Sequence, residues 1–167
     1  MLGGSEEDTG GRAGNGGGVA GGQAIQVQQV DDFDPYGSSG EHPEEVDFAA
    51  DGDGATAWST QTYDASFETY PKPGVGLVFD LGSPQEVAAV ELESPDADYD
   101  VELRAADSFG ADENAFSVVD EADDVSSSET LEDFEPATYR YWLVWITSLP
   151  GGGAGSMALS EVTFLAP

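Results

Sequence analysis

Asp51 and Asp53 sit two apart in the stretch Ala49-Ala50-Asp51-Gly52-Asp53-Gly54-Ala55-Thr56-Ala57-Trp58-Ser59-Thr60, with the Thr56 hydroxyl three residues further on. The interleaved glycines let the backbone fold back and aim several oxygens at one point, which is calcium chemistry in outline. It is not an EF-hand loop, because no Glu stands at the twelfth position and no helix pair brackets it. Read on its own, Asp-Gly-Asp-Gly is also an ordinary surface turn, so these residues leave both readings open.

Other chemistries find less support. Paired carboxylates can hydrolyse glycosides, but one of them must be desolvated in a cleft, and nothing in the sequence singles out such a pair. His42 is the sole histidine. It lies beside acids in a proline-flanked loop with no nucleophile elbow, and is expected to be exposed. No phosphate-binding glycine loop follows a strand. With no cysteine there is no disulfide, thiolate metal site or cysteine nucleophile. The chain is therefore expected not to be an enzyme.

Composition narrows the partners. Lys+Arg of 4 against Asp+Glu of 34 gives a formal net charge of -30, which repels phosphate backbones and anionic lipid heads. Nucleic acid and membrane-surface binding are excluded as primary roles. The same acidity also suits a protein to solubility or to high salt, where repulsion is screened. No apolar run is long enough to span a bilayer, and Met1-Leu2-Gly3-Gly4 lacks the basic start and apolar core of a signal peptide. If the protein is exported, this chain is expected to be a piece of a larger one.

The elements that must position the acidic stretch read as follows. Residues 1 to about 22 are mostly glycine and polar residues, expected as a flexible tether because ordering them costs more entropy than it returns. The domain proper is expected over 23–167. Ala24 to Val30 reads as a polar first strand closed by turn signals from Asp31 to Gly37, and 42–48 as a short helical turn. The Pro-rich aromatic segment from Tyr63 to Gly74 reads as a long loop. Val75 to Leu81, Val87 to Glu93, Tyr99 to Arg104, Phe116 to Val119, Tyr139 to Ile146 and Leu159 to Leu165 read as strands. Tyr99, Val101 and Leu103 point inward in strict alternation. Tyr139 to Ile146 is apolar on both faces and must be central, with Trp58, Trp142 and Trp145 in the core. Residues 120–135 read as an acidic loop with at most a short strand, anchored by Leu131 and Phe134. About eight antiparallel strands without a βαβ rhythm make an all-β sandwich or jelly roll.

Five segments in this order resemble a known family: Asp51 to Thr60, Lys72 to Gly82, Asp100 to Ala105, Tyr139 to Thr147 and Ser160-Glu161-Val162. Together they look like a discoidin-type (coagulation factor 5/8 C-type) domain from about residue 23 to the end. The narrower likeness is to the outward-facing C-terminal domain of actinobacterial Ser/Thr kinases and of kinase-homology lipid II flippase-family proteins. The resemblance implies a galactose-binding-like jelly roll and a monomeric binding module on the outer face of a membrane, within a larger protein. It implies a structural Ca2+ held by Asp51, Asp53, Thr56 and Glu161, joining the two ends of the domain. Gly54 stands where family members often have Pro, which loosens the turn.

Sugar-binding relatives use rim loops with an aromatic platform and a few polar side chains, since apolar sugar faces stack on rings while hydroxyls need fixed partners. The candidates here are Tyr63, Phe67, Tyr70 and Lys72 in the long loop, and Arg104 at a strand end. Each aromatic can instead be a loop anchor, and the two cations can simply offset the acidic field. The expected partner is a carbohydrate or cell-wall glycan; the alternative is an acidic structural domain that binds a protein.

Overall fold

The computed structural model describes residues 22–167. The glycine-rich tether expected over 1 to 22 lies, but for its last residue, outside the described residues.

The first strand of the expectation splits in two. β1 (Ala24–Ile25) and β2 (Gln29–Phe33) join different sheets, because the chain crosses from one layer to the other between them. Asp31 to Phe33, expected as a turn, extend β2. A 3-10 helix (Pro43–Ala50) follows, with Pro near its start and Glu44 and Glu45 in its first turn, where the helix dipole favours acids. β3 (Trp58–Ser59) leaves the acidic stretch. β4 (Val75–Val87) runs past Gly82-Ser83-Pro84, expected to end it, through a bulge between Asp80 and Gln85. Pro84 is tolerated because an irregular stretch needs no ladder donor there.

β5 (Ala89–Glu93) and β6 (Tyr99–Ala106) lie close to expectation, and β6 alternates buried and half-buried residues from Tyr99 to its end. β7 (Ser117–Val125) and β8 (Ser128–Leu131) replace most of the loop expected over 120–135. Leu131 is buried and Phe134 packs on the core, as anchors should. β9 (Ala137–Ser148), β10 (Ala158–Leu159) and β11 (Glu161–Leu165) complete the chain. The described residues thus form eleven strands rather than about eight, the surplus coming from two-residue pairings, the split of the first strand and the added β8.

Two antiparallel sheets face one another, ordered β1-β11-β5-β8 and β2-β4-β9-β6-β7, with β10 and β3 paired as a separate ribbon. The all-β sandwich is as expected. Phe164 of β11 meets Phe79 of β4 at 5.2 Å and Trp142 of β9 at 6.0 Å between ring centroids, closing the core across the layers. β9 is central and apolar on both faces. Trp142, Val144 and Ile146 fill the inner core, while Leu143 and Trp145 join Phe33, Val78 and Phe116 in a second cluster. All three tryptophans are buried.

Candidate functional site

Two groups of acidic side chains stand out, built in different ways. The first is the acidic turn. Asp51 accepts from the Asp53 N–H at 2.8 Å through Oδ1 and from the Thr56 hydroxyl at 2.6 Å through Oδ2. Asp53 accepts from the Ala55 N–H at 2.9 Å, and its carbonyl accepts from Thr56 Oγ1 at 3.0 Å. These are the local side-chain to backbone bonds by which Asx residues build turns. Gly52 adopts a left-handed φ of 78°, which glycine takes without strain, and its N–H points at both carboxylate oxygens of Glu161, at 3.1 and 3.2 Å. The turn and the last strand are therefore joined, across 109 residues of sequence.

The turn's electrostatics follow from this geometry. The Thr56 hydroxyl and the Asp53 N–H hold the Asp51 carboxyl below its ordinary range. Desolvation raises Glu161, opposed by the Gly52 N–H and reinforced by the charges of Asp51 and Asp53. The oxygen donors suit a hard cation such as calcium. Every carboxylate oxygen of the set except Asp53 Oδ2, however, accepts from an internal donor, and among the described residues no group of three or more His, Asp or Glu side chains converges to hold a metal.

The second group is a pocket of about 420 Å³ at the rim of the sandwich, where the loop after β2 meets the loop after β3. The first loop turns at Asp34-Pro35-Tyr36-Gly37, closed by the Gly37 N–H on the Asp34 carbonyl at 3.1 Å, with Pro at the position whose φ it pre-sets. The second is pinned by reciprocal 2.8 Å bonds between the backbones of Tyr63 and Gly155. It folds back so that the Tyr70 and Lys72 N–H groups both reach the Phe67 carbonyl. Tyr63 packs edge-on against Phe67 at 5.1 Å and Tyr70 at 5.3 Å.

A chain of buried polar bonds floors this pocket. The Lys72 ammonium donates to both oxygens of Asp34 at 3.1 Å and to the Tyr63 hydroxyl at 2.9 Å. Tyr63 in turn donates to Glu41 Oε2 at 2.6 Å, and the Gln61 N–H donates to Glu41 Oε1 at 2.9 Å. Glu41, 1% exposed, also holds the core, since its carbonyl accepts from the Trp58 indole at 2.6 Å. Burial raises the Glu41 carboxyl, opposed by the hydrogen bonds from Tyr63 and Gln61, and the same burial, reinforced by Glu41, raises the Tyr63 phenol. The walls remain open: Tyr36 is 45% and Tyr70 39% exposed, and Ser38, Ser39 and Thr62 add hydroxyls.

The expected ligand residues divide accordingly. Tyr63, Tyr70 and Lys72 line the pocket. Phe67 is buried beneath Tyr63 as an anchor. Arg104 stands apart, paired with Glu102 at 2.7 Å and donating to the carbonyls of Glu113 and Phe116. It supports the pocket indirectly, because the Glu113 carboxylate accepts from the Tyr36 hydroxyl at 2.8 Å. His42 is half-buried rather than exposed, with Nδ1 2.8 Å from the Ser59 carbonyl. Sequence reasoning missed Asp34, Tyr36, Glu41 and Gln61. The Asp34-Pro35-Tyr36-Gly37 turn was the one signal available for the first two.

No family model matches this sequence, and no curated protein matches it. Solved structures do match its fold. The CBM32 of AlyQ, in complex with 4,5-unsaturated mannuronic acid, superposes with a TM-score of 0.63 at 16% identity, covering 87% of this chain and 99% of that one. Chitosan-binding module 2 of a chitosanase/glucanase from Paenibacillus sp. IK-5, in complex with chitotriose, gives 0.61 at 17% identity, covering 85% and 98%. A CBM32 from Clostridium perfringens, in complex with GalNAc-β-1,3-galactose, gives 0.59 at 20% identity, covering 86% and 100%. The chain thus has the galactose-binding-like, discoidin-type fold of these carbohydrate-binding modules, and it spans nearly the whole of each.

Proposed function

We propose that this domain is a non-catalytic carbohydrate-binding module whose ligand sits in the Tyr36, Tyr63, Tyr70 and Lys72 pocket. The observation that carries the reading is the pocket itself: two exposed tyrosines and a row of hydroxyls over a rigid, fully bonded polar floor. Rings offer apolar area to the C–H faces of a sugar, and fixed polar groups orient its hydroxyls. The sugar ligands of the structural neighbours support the same class of partner.

The use made of the two carboxylates in the pocket supports a reading of binding rather than hydrolysis. Glu41 is desolvated, as a general acid would be, but both of its oxygens accept from protein donors, and Asp34 spends both of its own on Lys72. Neither is free to pass a proton to a glycosidic oxygen. The module is read as the outward-facing part of a larger protein. No helix among the described residues is long and apolar enough to cross a membrane.

The test is a glycan array followed by titration of the hits. Tyr70→Ala should weaken binding about ten-fold or more while the domain still folds, with only a small fall in melting temperature from the lost edge-on packing against Tyr63. Retention of a protein partner by a domain that binds no glycan would favour the alternative of a protein-interaction module.

The acidic turn is proposed as a structural calcium clip using Asp51, Asp53, Thr56 and Glu161. A divalent cation would offset the mutual repulsion of the three carboxylates and fix the turn to the last strand, provided Thr56 releases Asp51. Calcium should then raise the melting temperature and a chelator lower it. Identical melting in both would remove this proposal.

A further inference from the structure

Each basic residue among the described residues already has an acidic partner. Lys72 pairs with Asp34 at 3.1 Å, Arg104 with Glu102 at 2.7 Å and Arg140 with Asp80 at 2.8 Å. Only Lys72 of these lines the pocket, and its side chain is 8% exposed, with its donors spent on Asp34 and Tyr63. The rest of the lining brings two carboxylates, Asp34 and Glu41, together with hydroxyls, an amide and tyrosine rings. One ammonium against two carboxylates leaves the pocket negative, inside a chain of formal net charge -30.

Resting on the carbohydrate reading, we infer that the pocket selects its sugar by charge: it takes an amine-bearing glycan of the glucosamine type and rejects uronates. A uronate carboxylate entering this pocket meets like charge and finds no free cation among the described residues, whereas a protonated amine is drawn in by the field. The exposed faces of Tyr36 and Tyr70 are also surfaces on which a cation rests favourably. An N-acetylated sugar of the same shape keeps the stacking and loses the electrostatic gain. Screening should therefore erase the preference, since the Debye length falls from about 8 Å at physiological salt to about 3 Å at 1 M.

The experiment is calorimetric titration of the full chain with trisaccharides of glucosamine, N-acetylglucosamine and mannuronate, at low and at high salt. At low salt the glucosamine trisaccharide should bind about ten-fold or more tighter than its N-acetylated counterpart, the gap should close near 1 M, and mannuronate should not bind. An acidic protein attracts any polycation, so Tyr70→Ala, which leaves every charge in place, is the control. It should cost about ten-fold in glucosamine affinity. Undiminished binding by this variant would assign the attraction to the general surface and overturn the inference. Mannuronate binding as tight as glucosamine, or equal affinity for the amine and its N-acetyl form at low salt, would overturn it while leaving the carbohydrate reading intact. Binding of no glycan at all would remove both.

Discussion

In the acidic turn, Asp51 and Asp53 hold N–H groups two residues away and remain exposed; in the pocket, Glu41 is buried and gathers donors from 20 and 22 residues downstream. The same residue types thus make a local device in one place and a tertiary one in the other. A local device forms wherever its few residues occur together and can be released without disturbing the rest. A tertiary network costs desolvation and is held only by the loops it ties. The pocket should accordingly be rigid and sensitive to substitution, and the turn forgiving.

The largest effect should come from Lys72→Met, which removes the partner of the buried Asp34 and one donor to Tyr63. Breaking a buried ion pair from one side costs about 3 to 5 kcal/mol, readable by urea denaturation. A loss no greater than that of a surface substitution would place the Asp34 to Glu41 floor outside the stabilising network.

Glu41→Gln should be milder, at about 1 to 2 kcal/mol. The amide can still accept from Gln61, but it offers Tyr63 a donor where the phenol needs an acceptor. This variant also sets the two regions against each other in pH. The Glu41 carboxyl is raised on folding, so its contribution is fully present below the ordinary carboxylate range and is lost as pH rises through the raised value. The stability advantage of the native protein over Glu41→Gln should shrink as pH rises through that window. Asp51 has the opposite sign: its carboxyl is lowered, so its contribution is present above the ordinary range and is lost as pH falls through the lowered value. Denaturation curves across the acid range check both slopes, and parallel slopes would erase the distinction between the regions.

Asp51→Ala should have the smallest effect, a melting shift of about 2 °C or less without calcium, because an exposed turn loses bonds that water replaces. Its loss should deepen with calcium present if the clip is right.

This contrast also explains what was legible in the sequence. The turn's bonds span two to five residues, so Asp51, Asp53 and Thr56 could be read from spacing, whereas Glu161 needed the resemblance. Strict alternation fixed the facing of Tyr99, Val101 and Leu103, and the doubly apolar stretch fixed β9 as central. The start of β7 was legible, but its acidic continuation to Val125 and β8 were missed because Asp and Ser are poor strand formers; β7 is an edge strand whose charges discourage pairing with a further chain. β1 and β2 were fused because nothing in the alternation marks a switch between sheets. Glu41 was invisible, one acid among 34, until the loops after β2 and β3 closed around it.

The most direct test of the pocket as the sugar site is an amide chemical-shift titration with a bound oligosaccharide. The account predicts shifts at Gly37, Ser38, Ser39, Gln61 and Thr62, with Gly52, Asp53 and Ala55 unmoved. Shifts centred on the acidic turn, or on neither region, would contradict it.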